Sequence, residues 1–236
     1  TATISAIDIL TITGKNISDL TGIEAFSALT VLYCDTNNLD TLIFDSNTSL
    51  DTLLCNNNNL DTLGISTNAS LTYINCGNNN LDNLDVSACA ALAYLFCKSN
   101  SISSLDLDNN TVLKALICNN NLLDSLDLFI HASFDSLNCR FNALTYLNAR
   151  GIDYSSMASN DFKITNNPLL YCVEVTDSTY SATNWLTKDA QTFYNGNCAT
   201  AQGCTDVNGC NYNPLATIDD STCTYPVDSV SSFTEC

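Results

Sequence analysis

Thirteen cysteines are the residues with the most chemistry to offer in this 236-residue sequence. Six of them, Cys34, Cys55, Cys76, Cys97, Cys118 and Cys139, recur every 21 residues. A row of thiolates suggests metal, but zinc needs four ligands converging on one point, usually with CxxC spacing. One cysteine per repeat of a stacked chain gives a line instead, with neighbours about 4.8 Å apart across a sheet. That is too long for a bond between neighbouring sulfurs. Free cysteine is a good small hydrophobe, so these six are read as core residues that stay reduced. His131 is the only histidine. A general base needs a nucleophile and an orienting partner, and His131 falls in a column of the repeat that is asparagine at three other positions and cysteine at one. No GxGxxG, P-loop, HExxH or GxSxG occurs, and no enzyme is expected.

Carboxylates form columns of their own. Asp40, Asp61, Asp82 and Asp124 occupy one, and Asp85, Asp106 and Asp127 another. Stacked like charges are costly unless solvent or cations screen them, so both read as solvated surface, with weak Ca2+ binding as the alternative. Lys and Arg total 7 against 25 Asp and Glu, a formal net charge of -18. That balance disfavours nucleic acid and anionic membrane surfaces and favours cations, basic partners or plain solubility. Apolar content of 45% is too high for a disordered acidic tail. No apolar run approaches the roughly 18 residues of a transmembrane helix, so no membrane insertion is expected. The opening TATISAIDIL has no basic n-region and no initiator Met, and reads as a mature or trimmed chain.

The elements that position these columns follow from the repeat. Aligned on the cysteine, the copies share L-x-x-L-x-C-x-x-N-x-L-x-x-L-x-(L/V/I)-x-x-N, as in LTVLYCDTNNLDTLIFDSNTS and LDTLLCNNNNLDTLGISTNAS. Parallel strands are expected near residues 31–35, 52–56, 73–77, 94–98, 115–119 and 136–140, in about seven coils. Strand alternation puts Leu32 and Cys34 on one face of their strand. Leu42, Leu63, Leu84, Leu105, Leu126 and Leu147 begin a second extended segment. One coil cannot bury these side chains; stacked coils bury them all. Asn37, Asn58, Asn79, Asn100, Asn121 and Asn142 follow each strand and are expected to turn their amides inward onto unpaired backbone groups. Asn47, Asn68 and Asn110 form a second, partial ladder, in which Cys89 and His131 stand in for asparagine.

The pattern LxxLxCxxNxLxxL resembles leucine-rich repeats, over roughly residues 10–170. The resemblance implies a solenoid with a parallel β-sheet on a concave face, short extended or turn segments on the convex face, and a role in protein or glycan recognition. The 21-residue period is similar to secreted and surface repeats of the bacterial phylum Bacteroidota, while LTITGKNISDLTGIEAFSALTVL looks internalin-like and is expected to act as an N-terminal cap strand. Three parts are expected: 1–170 as the solenoid, 171–200 as a C-terminal cap with a short helix, and 201–236 as a small cysteine-rich module. The cap resemblance implies a Cys172–Cys198 disulfide. Residues 203–226, GCTDVNGCNYNPLATIDDSTCTYP, resemble a short module found near the C-termini of secreted Bacteroidota proteins, often before a type IX sorting domain. Cys204, Cys210, Cys223 and Cys236 then make two disulfides with three connectivities open, Cys204–Cys223 with Cys210–Cys236 being favoured. No cofactor is expected. Ca2+ is the single candidate, with oxygen ligands from Asp206, Asn208, Asn211, Asn213, Asp219 and Asp220.

The outward face of the first strands is the best binding candidate. Tyr33, Leu54, Tyr73, Tyr94, Phe96 and Ile117 are not required by the core, and a contiguous apolar and aromatic patch on a sheet marks a contact surface. The expectation is a secreted or cell-surface recognition or adhesion scaffold for a protein or glycan. A structural spacer, or a recognition module of a larger secreted protein, is the alternative. Ice or mineral binding is a lesser one, because the strand face lacks regular Thr ranks.

Overall fold

The computed structural model describes residues 3–154, 157, 161–200, 202–213, 216, 218–219 and 221–225. The chain winds into a solenoid whose coils each add one short strand to a long parallel sheet. Its eight strands are Ile9–Thr11, Val31–Tyr33, Thr52–Leu54, Tyr73–Asn75, Tyr94–Phe96, Ala115–Ile117, Ser136–Asn138 and Phe162–Lys163, hydrogen-bonded in that order. The register is constant: Leu32 pairs with Leu53, Leu53 with Ile74, and so on to Leu116 with Leu137. A parallel bridge from Lys163 to Thr187 carries the stack one coil further.

Seven of the eight strands are three residues long, so the middle residue points inward and its two flanks point out. Leu32, Leu53, Ile74, Leu95, Leu116 and Leu137 are fully buried, as are the six cysteines two positions later. The opposite side of each coil also pairs, in two blocks: Thr41–Ile43 with Thr62–Gly64, and Ser125–Asp127, Tyr146–Asn148, Cys172–Glu174 and Phe193–Asn195 in series. Residues 83–85 and 104–106, between the blocks, form no strand. Where both sides are ladder-paired, coil spacing is set by the same interstrand distance of about 4.8 Å.

What replaces helix in each coil is a pair of asparagine ladders. Asn79 shows the first. Its Nδ2 donates to the Cys55 carbonyl of the preceding coil (3.1 Å) and to the Cys76 carbonyl of its own (2.9 Å), and its Oδ1 accepts from Leu60 N (3.0 Å). Asn37, Asn58, Asn100, Asn121 and Asn142 repeat the inward amide. Asn167 adds a further rung, bonding Cys139 O, Ile164 O and Leu144 N. The coil that carries it is longer than 21 residues, which hides the rung from a strict period. Just before each of these asparagines the backbone is left-handed: Thr36, Asn57, Asn78, Ser99, Asn120, Phe141 and Asn166 have φ between 54° and 63°, and Asn16 before Ile17 holds the same turn in the first coil. Asn tolerates that region best among residues with a side chain. Phe141 is the bulky exception.

The second ladder is only half satisfied. Asn47, Asn68 and Asn110 donate Nδ2 to carbonyls of the preceding coil, but their Oδ1 atoms find no partner. Cys89 occupies one rung, its Sγ 3.9 Å from Ile65 O. His131 occupies another. Its ring nitrogens lie near the Leu128 backbone and the Asn110 and Leu107 carbonyls but find no hydrogen-bond partner.

Burial holds the His131 pKa below its usual value, outweighing those carbonyls and Asp127. A folded value below the unfolded one makes the neutral ring's contribution complete above about pH 6.5, and lost as pH falls below that. His131→Asn is therefore expected to stabilise the protein by about 1 kcal/mol at neutral pH, because Asn can donate to both carbonyls. It should also reduce the loss of stability between neutral pH and pH 5. Urea midpoints at pH 7.5 and 5 test this. Unchanged midpoints at both would show that the turn site does not discriminate between the two side chains.

Cys34, Cys55, Cys76, Cys89, Cys97, Cys118 and Cys139 are buried free thiols. Burial pushes the Cys34, Cys76 and Cys139 thiols up to about 12 and Cys89 to about 11, so none supplies thiolate at neutral pH. Cys172 is bonded to Cys198 and Cys204 to Cys223. Cys210 is also disulfide-bonded; Cys236 lies outside the described residues, so the Cys210–Cys236 pairing falls there too.

The last coil is closed by aromatic packing. A short helix, Ser178–Asn184, is N-capped by Asp177, whose side chain accepts from Tyr180 N. It delivers Trp185 onto the open end of the core, stacked on Phe162 at 4.1 Å and edge-on to Tyr194 at 6.2 Å. Asp189 accepts from Asn166 N and Asn167 N, covering donors that a further Asn rung would otherwise meet.

Candidate functional site

The outward face of the long sheet carries two rows of side chains, one from each flank of every strand. The first row reads Val31, Thr52, Tyr73, Tyr94, Ala115, Ser136; the second reads Tyr33, Leu54, Asn75, Phe96, Ile117, Asn138. Register therefore sets Tyr73 beside Tyr94 and Phe96 beside Ile117. The ring centroids of Tyr73 and Tyr94 lie 6.0 Å apart, and those of Tyr73 and Phe96 5.2 Å apart. Tyr33 and Leu54 are neighbours one strand away, with Asn75 interrupting their own row. Tyr94 is exposed (38%) and Tyr33, Leu54, Tyr73, Phe96 and Ile117 are half-buried. Such rings give a large contact area with little rotamer entropy to lose. Ala115 is buried among them.

Charge on this face is unevenly placed. Its N-terminal half carries Asp35 and Asp51, both engaged with hydroxyls: Asp35 accepts from Thr13, and Asp51 from Thr52 and Thr72. Its C-terminal half carries Lys98, Lys114, Arg140 and Lys163 beside or within the strands. Lys98 and Lys114 are exposed. The Arg140 guanidinium donates from Nε to Thr165 (2.9 Å) and lies over the Phe141 ring at 5.3 Å. Among the described residues the ion pair found is Arg150–Glu174, on the other side of the solenoid. Charged columns alone hid this cluster, because Lys114 and Lys163 stand in different columns from Lys98 and Arg140.

The six oxygen donors of the C-terminal module are mostly committed to one another's turns. Asp206 accepts from Asn208 N, Asn208 Nδ2 and Tyr225 OH. Asn211 accepts from Thr224 N and donates to Thr222 O, and Asp219 accepts from Ser221 N. Asn213 also has a partner, and Asp220 lies outside the described residues. Asp85, Asp106 and Asp127 each accept from the N–H two residues on. Among the described residues no group of three or more His, Cys, Asp or Glu side chains could hold a metal ion. No described helix is long and apolar enough to cross a membrane.

The sequence matches no protein-family model and no curated protein. Solved structures do match. The leucine-rich-repeat domain of APL1 superposes with a TM-score of 0.55 at 20% identity, covering 72% of this chain and 49% of that one. An internalin, InlF, from Listeria monocytogenes gives 0.53 at 18%, covering 81% and 60%. The functional domain of InlJ from Listeria monocytogenes, which includes a cysteine ladder, gives 0.41 at 23%, covering 82% and 64%. The first two define the fold class: this chain is a leucine-rich-repeat solenoid. It spans less than two thirds of each of the three structures.

Proposed function

We propose that this chain is a secreted or cell-surface recognition and adhesion scaffold that binds a protein or glycan through the outward face of its long sheet, without catalysis. The observation that carries this reading is the contiguous set Tyr73, Tyr94 and Phe96, held on short strands whose register fixes their spacing. Rigid aromatic anchors on a sheet are the residues that dominate contact energies. The similarity of the 21-residue repeat and of residues 203–226 to secreted Bacteroidota proteins supports an extracellular location. Seven thiols buried in the core are compatible with an oxidising compartment, because none is accessible for exchange.

A glycan array and a pull-down with the whole chain supply the ligand. Tyr94→Ala/Phe96→Ala is then expected to weaken it by about 1–4 kcal/mol with circular dichroism unchanged. Replacing Asp82, Asp85 and Asp106 should chiefly alter the salt dependence. Normal binding by the aromatic variant together with loss in the acidic one would move the site to the charged flank.

A further inference from the structure

Given that the sheet face is the binding surface, we infer that its C-terminal half recognises an acidic polysaccharide, a chain of sugars bearing carboxylate groups. The chain as a whole argues the other way, with 25 acidic residues against 7 basic. Yet Lys98, Lys114, Arg140 and Lys163 all fall around one end of this face, although the six coils of regular repeat offer many other surface positions. Lys98 is two residues after Phe96, and Lys114 directly precedes Ala115, the cross-strand neighbour of Tyr94. The cations thus border the aromatic patch rather than lying apart from it.

None of the four has a carboxylate within ion-pair distance among the described residues. Asp135, Asp161 and Asp189 are the acids near this end; Asp189 is engaged by the Asn166 and Asn167 N–H groups, and among the described residues none of the three is paired with a cation there. A local positive zone in a protein of strong negative net charge concentrates anions at that zone alone, since exposed charges are screened beyond roughly 8–10 Å at physiological salt.

The chemistry of the zone favours sugar over peptide. Tyr73, Tyr94 and Phe96 present flat apolar rings at 5.2–6.0 Å spacing, and Tyr can stack on a sugar ring while its hydroxyl makes a polar contact. Asn75, Ser136 and Asn138 add short polar groups in the same two rows. An acidic peptide would gain most from pairing with a strand edge, whereas the strands that bear the rings sit inside the sheet, paired on both sides, and the end strand Phe162–Lys163 is bridged to Thr187. A planar carboxylate also suits the Arg140 fork, which spends only its Nε on Thr165. Phe141 beside it keeps a left-handed backbone (φ 55°) with 47% exposure.

The test uses the whole chain with three probes: an oligogalacturonate, the same oligomer fully methyl-esterified, and a poly-glutamate peptide of matched charge. Titration calorimetry is run at 50 and 300 mM salt. The oligogalacturonate is expected to bind at least about tenfold more tightly than the ester, and to weaken severalfold at the higher salt. Replacing Lys98, Lys114, Arg140 and Lys163 together by Gln should abolish that preference, while Lys15→Gln leaves it intact and circular dichroism shows both folded. Equal binding of acid and ester, tighter binding of poly-glutamate, or no binding of the oligogalacturonate overturns the inference. The two readings fail separately. If the ester binds as well as the acid and Tyr94→Ala/Phe96→Ala weakens both, the sheet face stands and only the anionic class is lost. If a captured ligand ignores both the aromatic and the cation variants, the sheet face itself is wrong.

Discussion

Asn79→Ala is expected to cost about 3 kcal/mol. The amide makes four buried bonds: two to the carbonyls of Cys55 and Cys76, a long one of 3.5 Å to the Gly77 carbonyl, and one from the Leu60 N–H. The Cys55 and Cys76 carbonyls keep a second donor each, from Asn58 and Asn100, so they lose about 1 kcal/mol apiece. Leu60 N–H loses its partner in a buried turn, which adds about 1–3 kcal/mol. Asn80→Ala, one residue on, removes an exposed bond to Asn59 O and should cost no more than about 0.5 kcal/mol. Asn79→Asp separates the two ends of the amide. It keeps the acceptor for Leu60 but turns a carboxylate oxygen toward two carbonyls. The carboxyl is then held neutral in the folded state, its pKa raised above the unfolded value. Its loss of stability grows as pH rises above about 3.9 and shrinks in acid, where the protonated form donates once. Urea unfolding of the three variants at two pH values decides the matter. An Asn79→Ala midpoint matching that of Asn80→Ala would mean the ladder is decoration rather than support.

The long sheet was legible in the sequence because its signal repeats: Leu, a gap, Cys, then Asn at a fixed distance, with only one inward geometry available to a three-residue strand. The Asn column was legible for the same reason, since only a side chain with both donor and acceptor serves two coils at once. The left-handed column was not read, although the doubled Asn57-Asn58, Asn78-Asn79 and Asn120-Asn121 carry it: the first of each pair supplies the turn and the second the ladder. The Asn167 rung was missed because its coil breaks the 21-residue step. Which coils pair on the far side was not legible either. Thr41–Ile43 and Thr62–Gly64 pair there, yet 83–85 does not. Composition gave the net charge but not its placement, so the basic end of the sheet face had no signal until register put Lys98, Lys114 and Lys163 around one patch.

Trp185→Ala is expected to cost about 3–5 kcal/mol, and to do so at one end of the molecule. Trp185 is fully buried, stacked on Phe162, and its carbonyl accepts the Tyr194 hydroxyl at 2.6 Å. It closes the last coil of the stack among the described residues, packing its indole against that coil's apolar interior. Stacked repeats are stabilised by nearest-neighbour interfaces, so loss of a terminal cover frays the coils beside it before those further off. The Cys172–Cys198 bond ties Cys172 to the chain beyond the cap and limits how far the frayed end can open, which makes the effect larger under reduction. Amide exchange should show protection falling across residues 162–195 while the strands from Thr52–Leu54 to Tyr94–Phe96 keep theirs. Trp185 is the only tryptophan, so in the unsubstituted protein its fluorescence reports the cap alone, and that transition should precede loss of circular dichroism in urea. Uniform loss of exchange protection along the whole stack would refute the capping argument and show the solenoid to be a single cooperative unit, in which the effect of one buried tryptophan is shared by every coil.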